Sequence, residues 1–187
     1  MQNEKPCPCC LKSMDIYGDH AISCSSSGQR HYKHNSLVNL VAEECSSHLI
    51  SFRKEVSVDN DRPGDIVLQN WQNGRDLYLD FSVISSLCPS YRNAASRKAG
   101  AAAAIRTDEK FVKYRGLSSS IWFSPVSVEA LGGWDPANVQ LFKKIASRMA
   151  ESGYNSASDS LKHLMNKLSV RLQKMNGEML ALRCLEF

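Results

Sequence analysis

The sequence predicts a mixed α/β (α+β) fold, and three observations predict it. A helix-period segment is followed by three strand-period segments, an alanine-centred helix, a fourth strand and two closing helices. Ahead of these, Cys7, Cys9, Cys10 and Cys24 crowd into a short polar stretch with too few apolar residues for a core of its own. A length of 187 residues, with 43% hydrophobic and 22% charged residues, suits one buried domain with a small appendage and excludes a disordered tail. The expected partition is a small knuckle over 1–30, a core of mixed sheet flanked by helices over 31–134, and a C-terminal helical extension over 135–187.

Each element has its own signal. From His31 to Leu49 the apolar residues Leu37, Val41, Cys45 and Leu49 recur every four positions, which predicts a helix. Ser51 to Val58 reads as a strand, Asn60 to Gly64 as a turn, and Asp65 to Gln69 as a second strand. Asn73-Gly74 is a hairpin signal, and Arg75 to Ser85 alternates cleanly, with Leu77, Leu79, Phe81 and Val83 on one face and Tyr78, Asp80 and Ser82 on the other. Asn93 to Tyr114 reads as one long helix centred on Ala101 to Ala104. A fourth strand begins at Ile121-Trp122-Phe123 and is broken by Leu131 to Pro136, after which helices are expected over Pro136–Ser152 and Ser158–Cys184. In the last of these, Leu161, Met165, Leu168, Leu172, Met175, Met179 and Leu182 form a 4-3 stripe. Its first meaning is packing on its own domain, its second a dimer seam or a further domain.

A net charge of +4 permits nucleic acid as a partner without demanding it. No run approaches the ~20 apolar residues of a membrane span, and the first residues lack the apolar core of a signal peptide. The expectation is an intracellular protein with no membrane contact, in which seven cysteines serve as thiols or metal ligands. Cys7-x2-Cys10 and His20-x3-Cys24 supply two close pairs of ligands of the kind that close a tetrahedral zinc cage. Gly18 lets the chain tighten just before the histidine. Cys9 can replace either member of the first pair, and His31 and His34 compete less well with His20.

The hairpin carries a second constellation. Asp65 begins one strand and Asp80 lies midway along its partner, so two carboxylates can converge on one Mg²⁺ or Mn²⁺, with Glu55 on the preceding strand as a third ligand. An aspartate between Leu79 and Phe81 is costly to bury unless paired or metal-bound. A salt bridge to Arg62, Arg75 or a helix lysine is the bland alternative for Asp80, and ordinary turn chemistry is that for Asp65. Phosphodiester hydrolysis also needs a cation near the developing charge. Ser82 stands two residues beyond Asp80, so the following helix must supply it from Lys98, Lys110 or Lys113. A strand rise of ~3.3 Å against a helix rise of ~1.5 Å brings the chain back to the level of Asp80 near Ala104, with Lys98 and Lys110 straddling that point.

In this order the motifs resemble the restriction-like endonuclease domain of site-specific non-LTR retrotransposons, a branch of the PD-(D/E)XK nucleases. The knuckle Cys7, Cys10, His20, Cys24 matches its Cys-Cys-His-Cys module, and Lys33-His34-Asn35 its basic-His-Asn motif. Arg62-Pro63-Gly64-Asp65 and Asp80 stand for the Pro-Asp and distal acid, and Lys110-Phe111-Val112-Lys113-Tyr114 for the lysine-tyrosine motif. The resemblance runs from Cys7 to Trp134 and extends to Glu129–Trp134 and Leu168–Gln173. Gly64 between proline and aspartate, Ser82 in place of a lysine and the long gap from Asp80 to Lys110 depart from it.

The resemblance implies a restriction-endonuclease-like sheet and a nuclear, Mg²⁺- or Mn²⁺-dependent enzyme that nicks DNA. Asp65 and Asp80 would hold the metal, Glu55 would help, and Lys110, favoured over Lys98 by the motif, would orient water or offset charge. Structural zinc would sit on the knuckle, and a reverse transcriptase domain or element RNA is an implied partner. The rival expectations are a catalytically inactive zinc-containing DNA-binding module and a zinc-stabilised protein-interaction domain.

Overall fold

The structure is a computed structural model that describes residues 6–26, 28–58, 61–117, 121–153 and 155–184, and side chains at these positions except 55–58, 61–63 and 184. The chain runs α1 (Asp19–Ser23), α2 (Gln29–Ser47), β1 (Phe52–Val58), β2 (Asp61–Gln72), β3 (Arg75–Ile84), α3 (Pro89–Ala95), α4 (Ala101–Lys113), β4 (Trp122–Glu129), α5 (Pro136–Glu151) and α6 (Ala157–Cys184). The four strands form one mixed sheet in the order β1-β2-β3-β4. The first three are antiparallel neighbours, and β4 lies parallel to β3. Antiparallel strands need only short turns. At Asn73 (φ 52°) and Gly74 (φ 74°) two successive positive φ values make the tight hairpin that the Asn-Gly pair predicts. The parallel pair needs a crossover, which α3 and α4 provide.

Alternation along the strands separates the two faces. Ile66, Leu68, Leu77, Leu79, Phe81, Val126 and Val128 pack with α2, α5 and α6 residues such as Leu37, Phe142 and Leu168 in a single core. The opposite face receives α4, whose Ala102, Ala103, Thr107 and Lys110 are buried. Small alanines let that helix lie close to the sheet. Asn138 at the start of α5 guards the outer edge of β4, its Nδ2 donating to the Pro125 carbonyl (2.6 Å) and its Oδ1 accepting from the Ser127 amide (2.7 Å). An edge strand satisfied this way is closed to further pairing at that point.

The expected mixed α/β architecture is present, with its N-terminal Cys/His cluster and long C-terminal helices, and its element bounds need correction. The second strand begins at Asp61 rather than Asp65, so the expected turn over 60–64 is largely strand. The expected helix from Asn93 to Tyr114 is two helices broken at Gly100, which adopts φ +81°. A methyl group there would collide with the Trp134 carbonyl, so the backbone of the β4–α5 loop takes the space. The Glu129 carboxylate reaches across the same junction to accept from the Ala102 amide (3.1 Å), meeting an orphan donor of the first turn of α4. The segment Glu129 to Trp134 is therefore the seat of that helix.

The stripe of α6 packs inside the chain, against α2 and α5, which answers the dimer-seam alternative for most of its length. Leu164 and Arg183 are buried, whereas Met165 is only half-buried and Leu182 exposed, because the buried face drifts around a straight helix. Among the described residues no helix is long and apolar enough to cross a membrane.

Candidate active site and metal centre

The N-terminal segment folds around its cysteines and histidine. Cys7 begins a tight turn in which its amide donates to the Lys12 carbonyl and its own carbonyl accepts from Leu11. Asp15 then gathers the next loop. Its two carboxylate oxygens accept from the amides of Tyr17 (2.9 Å), Asp19 (3.1 Å) and His20 (2.7 Å). Burial opposes the Asp15 carboxylate, yet the His20, Asp19 and Tyr17 amides hold its pKa below the usual value. Gly18 enters α1 at φ 74°, and its missing side chain leaves room for Leu180 of α6. Helix α1 thus presents His20, and its C-cap Cys24, toward the first turn.

Cys7, Cys10, His20 and Cys24 offer four donor atoms that all lie within 4.8 Å of one another. Cys7 Sγ is 3.9 Å from Cys24 Sγ, and Cys10 Sγ is 3.1 Å from His20 Nε2. Tetrahedral zinc with Zn–S bonds of ~2.3 Å requires edges of about 3.8 Å, so the donor set and its spacing fit that ion. Burial opposes the Cys7 thiolate, but the Cys9 and Cys10 amides outweigh it and bring its pKa down to about 6, toward the ligating form. Cys9 is exposed and outside the cluster, which resolves the choice the sequence left open. His31 and His34 stack on each other in α2 (6.0 Å between centroids) and take no part. Among the described residues this is the one cluster of three or more such donors.

Asp65 and Asp80 meet at a fork in the sheet. The β2–β3 ladder runs through Ile66–Leu79, and one residue further along the two carboxylates occupy neighbouring strands. There the Asp65 side chain stands in for a strand partner, with Oδ2 accepting from the Phe81 amide at 2.7 Å. The same oxygen meets His34 Nε2 at 3.1 Å, while His34 Nδ1 lies 3.0 Å from Asn35 Oδ1. From the other side α4 delivers Lys110, whose Nζ lies 2.5 Å from Asp80 Oδ1 and donates to the Phe81 carbonyl at 3.2 Å.

The electrostatics follow from burial and pairing. Burial alone would raise Asp65, but His34 and the Phe81 amide hold it below the ordinary carboxylate value. Burial alone would lower His34, but Asp65 outweighs it and the imidazole is raised. In the deeper pair burial prevails on both sides, so Asp80 is pushed up despite Lys110, and Lys110 is pushed down despite Asp80. His34, Asp80, Ser82 and Lys110 line an open cleft of about 410 Å³, with Arg30 and Arg106 at its margin.

Of the residues picked from sequence, the fold brings Asp65, Asp80 and Lys110 together. The side chain of Glu55 lies outside the described residues. Lys98 falls in the α3–α4 connection and is exposed, because the helix that should have carried it is broken. Lys113 turns to Tyr114, 4.4 Å above its ring. The salt bridge to a helix lysine, weighed as the bland alternative for Asp80, is the contact observed. Asp15 has no signal in the sequence, and for two residues that stand in its motifs, Glu129 and Lys33, the sequence does not show the role. Asp15 and Glu129 act through backbone amides. Lys33 is fully buried, donating to the Ile22 carbonyl (2.7 Å) and Asn176 Oδ1 (2.7 Å), with its pKa lowered to about 8 by burial. No local pattern signals this burial, since the residues around Lys33 in the sequence are mostly polar.

Comparison with protein-family models and with curated proteins finds no match for this chain.

Proposed function

We propose that the chain is a metal-dependent DNA endonuclease of retrotransposon type, with Asp65 and Asp80 as the reactive-centre carboxylates. The observation that supports this most is the convergence of Asp80, Lys110 and His34 on one open cleft, with Asp65 directly behind them, bonded to His34 and to the Phe81 amide. The oxygens of Asp65 and Asp80 and the Phe81 carbonyl are hard donors of the kind Mg²⁺ takes, and a cation, the Lys110 ammonium, already sits against two of these groups. A bound Mg²⁺ or Mn²⁺ would supply Lewis acidity toward the scissile phosphate and acidify water for attack.

The chain's own groups have distinct tasks in this reading. His34 and the Phe81 amide fix the Asp65 carboxylate in its ionised form. Asp80 keeps Lys110 at the floor of the cleft, where its positive charge offsets the charge that grows on the phosphate oxygens. Hydrolysis forms a bond from water oxygen to phosphorus and breaks the bond to the 3′-oxygen. One proton leaves the water and one reaches the departing oxygen, giving a 3′-hydroxyl able to prime synthesis by a reverse transcriptase. Zinc on the N-terminal cluster is structural, supplying folding free energy to a segment that has little apolar surface.

One observation favours a second reading, a DNA-binding module without catalysis. Both carboxylates are already satisfied, Asp80 by Lys110 and Asp65 by His34, so neither requires a metal. Nicking of supercoiled plasmid by the zinc-loaded protein with Mg²⁺ or Mn²⁺ separates the two, with Asp80→Asn as the variant that keeps the shape of the site. The nuclease reading expects metal-dependent nicking that Asp80→Asn abolishes. A folded protein that binds DNA and nicks nothing in either metal establishes the binding module instead.

A further inference from the structure

Two neighbouring clefts share a wall. The cleft holding Asp80 and Lys110 and a second one of about 580 Å³ have Arg30, Val83, Ile84 and Arg106 in common. The second cleft continues to Lys12 and to the zinc-site residue His20. The pair makes one groove from the reactive carboxylates to the Cys/His cluster, and the two guanidiniums flank its midpoint, Arg30 from the first turn of α2 and Arg106 from α4.

The charges along this groove are unequally engaged. Asp80 is matched by Lys110, and Asp19 accepts from the Ser85 hydroxyl at 2.5 Å. The ammonium of Lys33 serves Ile22 and Asn176. Arg106 is steadied from outside by Glu109 at 2.8 Å, and Glu109 also accepts from the Tyr91 hydroxyl, so this guanidinium is placed and partly exposed. Arg30 is exposed and meets no hydrogen-bond or ion-pair partner among the described residues. A guanidinium fork matches the geometry of a phosphate, and two of them facing one passage match a backbone running through it.

We propose that Arg30 and Arg106 form a phosphate clamp at the junction of the two clefts, which leads one DNA strand from the reactive centre along the second cleft to the zinc cluster. The proposal rests on DNA being the ligand of the site above, and assigns these arginines as positioning residues. The basic side chains of α6 are the competing location for DNA, and Lys174 there is exposed and outside both clefts.

The test is fluorescence anisotropy of a labelled single-stranded oligothymidylate with the zinc-loaded full chain, over a salt series and without Mg²⁺. Arg30→Gln, Arg106→Gln, their combination and Lys174→Gln are compared after thermal unfolding has matched their folds. The double variant should bind about tenfold more weakly or worse, and the slope of log Kd against log salt should fall by about 1.4, roughly 0.7 for each phosphate released. Lys174→Gln should match the parent. No binding by the parent, unchanged binding by the double variant, or an equal loss in Lys174→Gln overturns the clamp. The nuclease reading fails separately: arginine-dependent binding without nicking leaves the clamp standing, whereas nicking with arginine-independent binding removes the clamp alone.

Discussion

Replacing Lys110 with methionine isolates the buried ion pair from everything else at the site. The Lys110 and Asp80 side chains are only 10% and 12% exposed, so each charge has traded most of its water for the other. Methionine fills the stem's volume and leaves the Asp80 carboxylate and the Phe81 carbonyl without the cation that both now meet. Breaking a buried pair from one side costs ~3–5 kcal/mol, because the remaining charge stays desolvated. For a domain of this size 1 kcal/mol moves Tm by about 2–4 °C, so the drop at neutral pH should be on the order of 10 °C. The sign with pH is a second signature. Asp80 is already raised in the folded protein, and losing Lys110 raises it further, so the folded state binds this proton more tightly than the unfolded chain. That contribution is full below the unfolded value and is lost as pH rises through the folded one. The variant should therefore regain stability toward the parent as pH falls from 8 to about 5. Adding Asp80→Asn should restore most of the loss, since two neutral groups carry no desolvated charge. Urea unfolding followed by tryptophan fluorescence reads all three proteins. A single variant within about 1 kcal/mol of the parent at neutral pH would refute the claim that the pair is desolvated.

Three further outcomes follow from other parts of the molecule. Gly100→Ala should destabilise by about 2 kcal/mol or more, from its positive φ and the collision with Trp134, whereas Gly28→Ala, at φ +70° in open space, should cost only the backbone strain of ~1–2 kcal/mol; thermal melts of the pair compare them. The gap in stability between the parent and His34→Gln should be widest between pH 3.8 and 6.5. His34, raised above its ordinary 6.5, loses its contribution as pH rises through its folded value, and Asp65, lowered below 3.8, loses its own as pH falls through its folded value. Zinc chelation, or Cys10→Ser, should abolish amide protection of α1 while leaving that of β3 intact, as read by hydrogen exchange.

What could be read from the sequence was local. Alternation placed Asp80 opposite Leu79 and Phe81 on β3, the Asn73-Gly74 turn set the hairpin, and paired spacings marked the Cys/His cluster. What could not be read depended on contacts distant along the chain. Alanine-rich composition argues for an unbroken helix to Tyr114, and the break at Gly100 exists because the Trp134 carbonyl, 34 residues further along the chain but packed against it in space, occupies the position of a side chain. The helix count that balanced Lys98 against Lys110 assumed that continuity. With α4 starting at Ala101, Lys98 lies in the preceding connection and Lys110 alone comes back over β3. Lys33 stands in a motif of the sequence, yet its ammonium is buried inside the protein and donates to Ile22 and to Asn176 on α6, a partner that no local pattern announces.

The cleft at Asp80 and Lys110 and the Cys/His cluster are coupled through the opening turns of α2. Within five residues, this helix supplies Arg30 to the groove, Lys33 to the Ile22 carbonyl of α1, and His34 to Asp65. Lys33 also reaches Asn176, whose Nδ2 donates to the Ala130 carbonyl just beyond β4, so one buried amide–ammonium relay ties the metal-binding segment, α2, α6 and the end of the sheet. A buried ammonium that loses an acceptor pays a desolvation cost, so the Ile22 carbonyl resists displacement from Lys33 and α1 is held where His20 faces the groove. The fork in the sheet explains why chemistry collects there. Where β2 leaves β3, the Phe81 amide and carbonyl need partners, and Asp65 and Lys110 supply them. Asp65 and Lys110 thereby complete the hydrogen bonding of β3, so two of the groups proposed to act on phosphate also satisfy the backbone where the strands part.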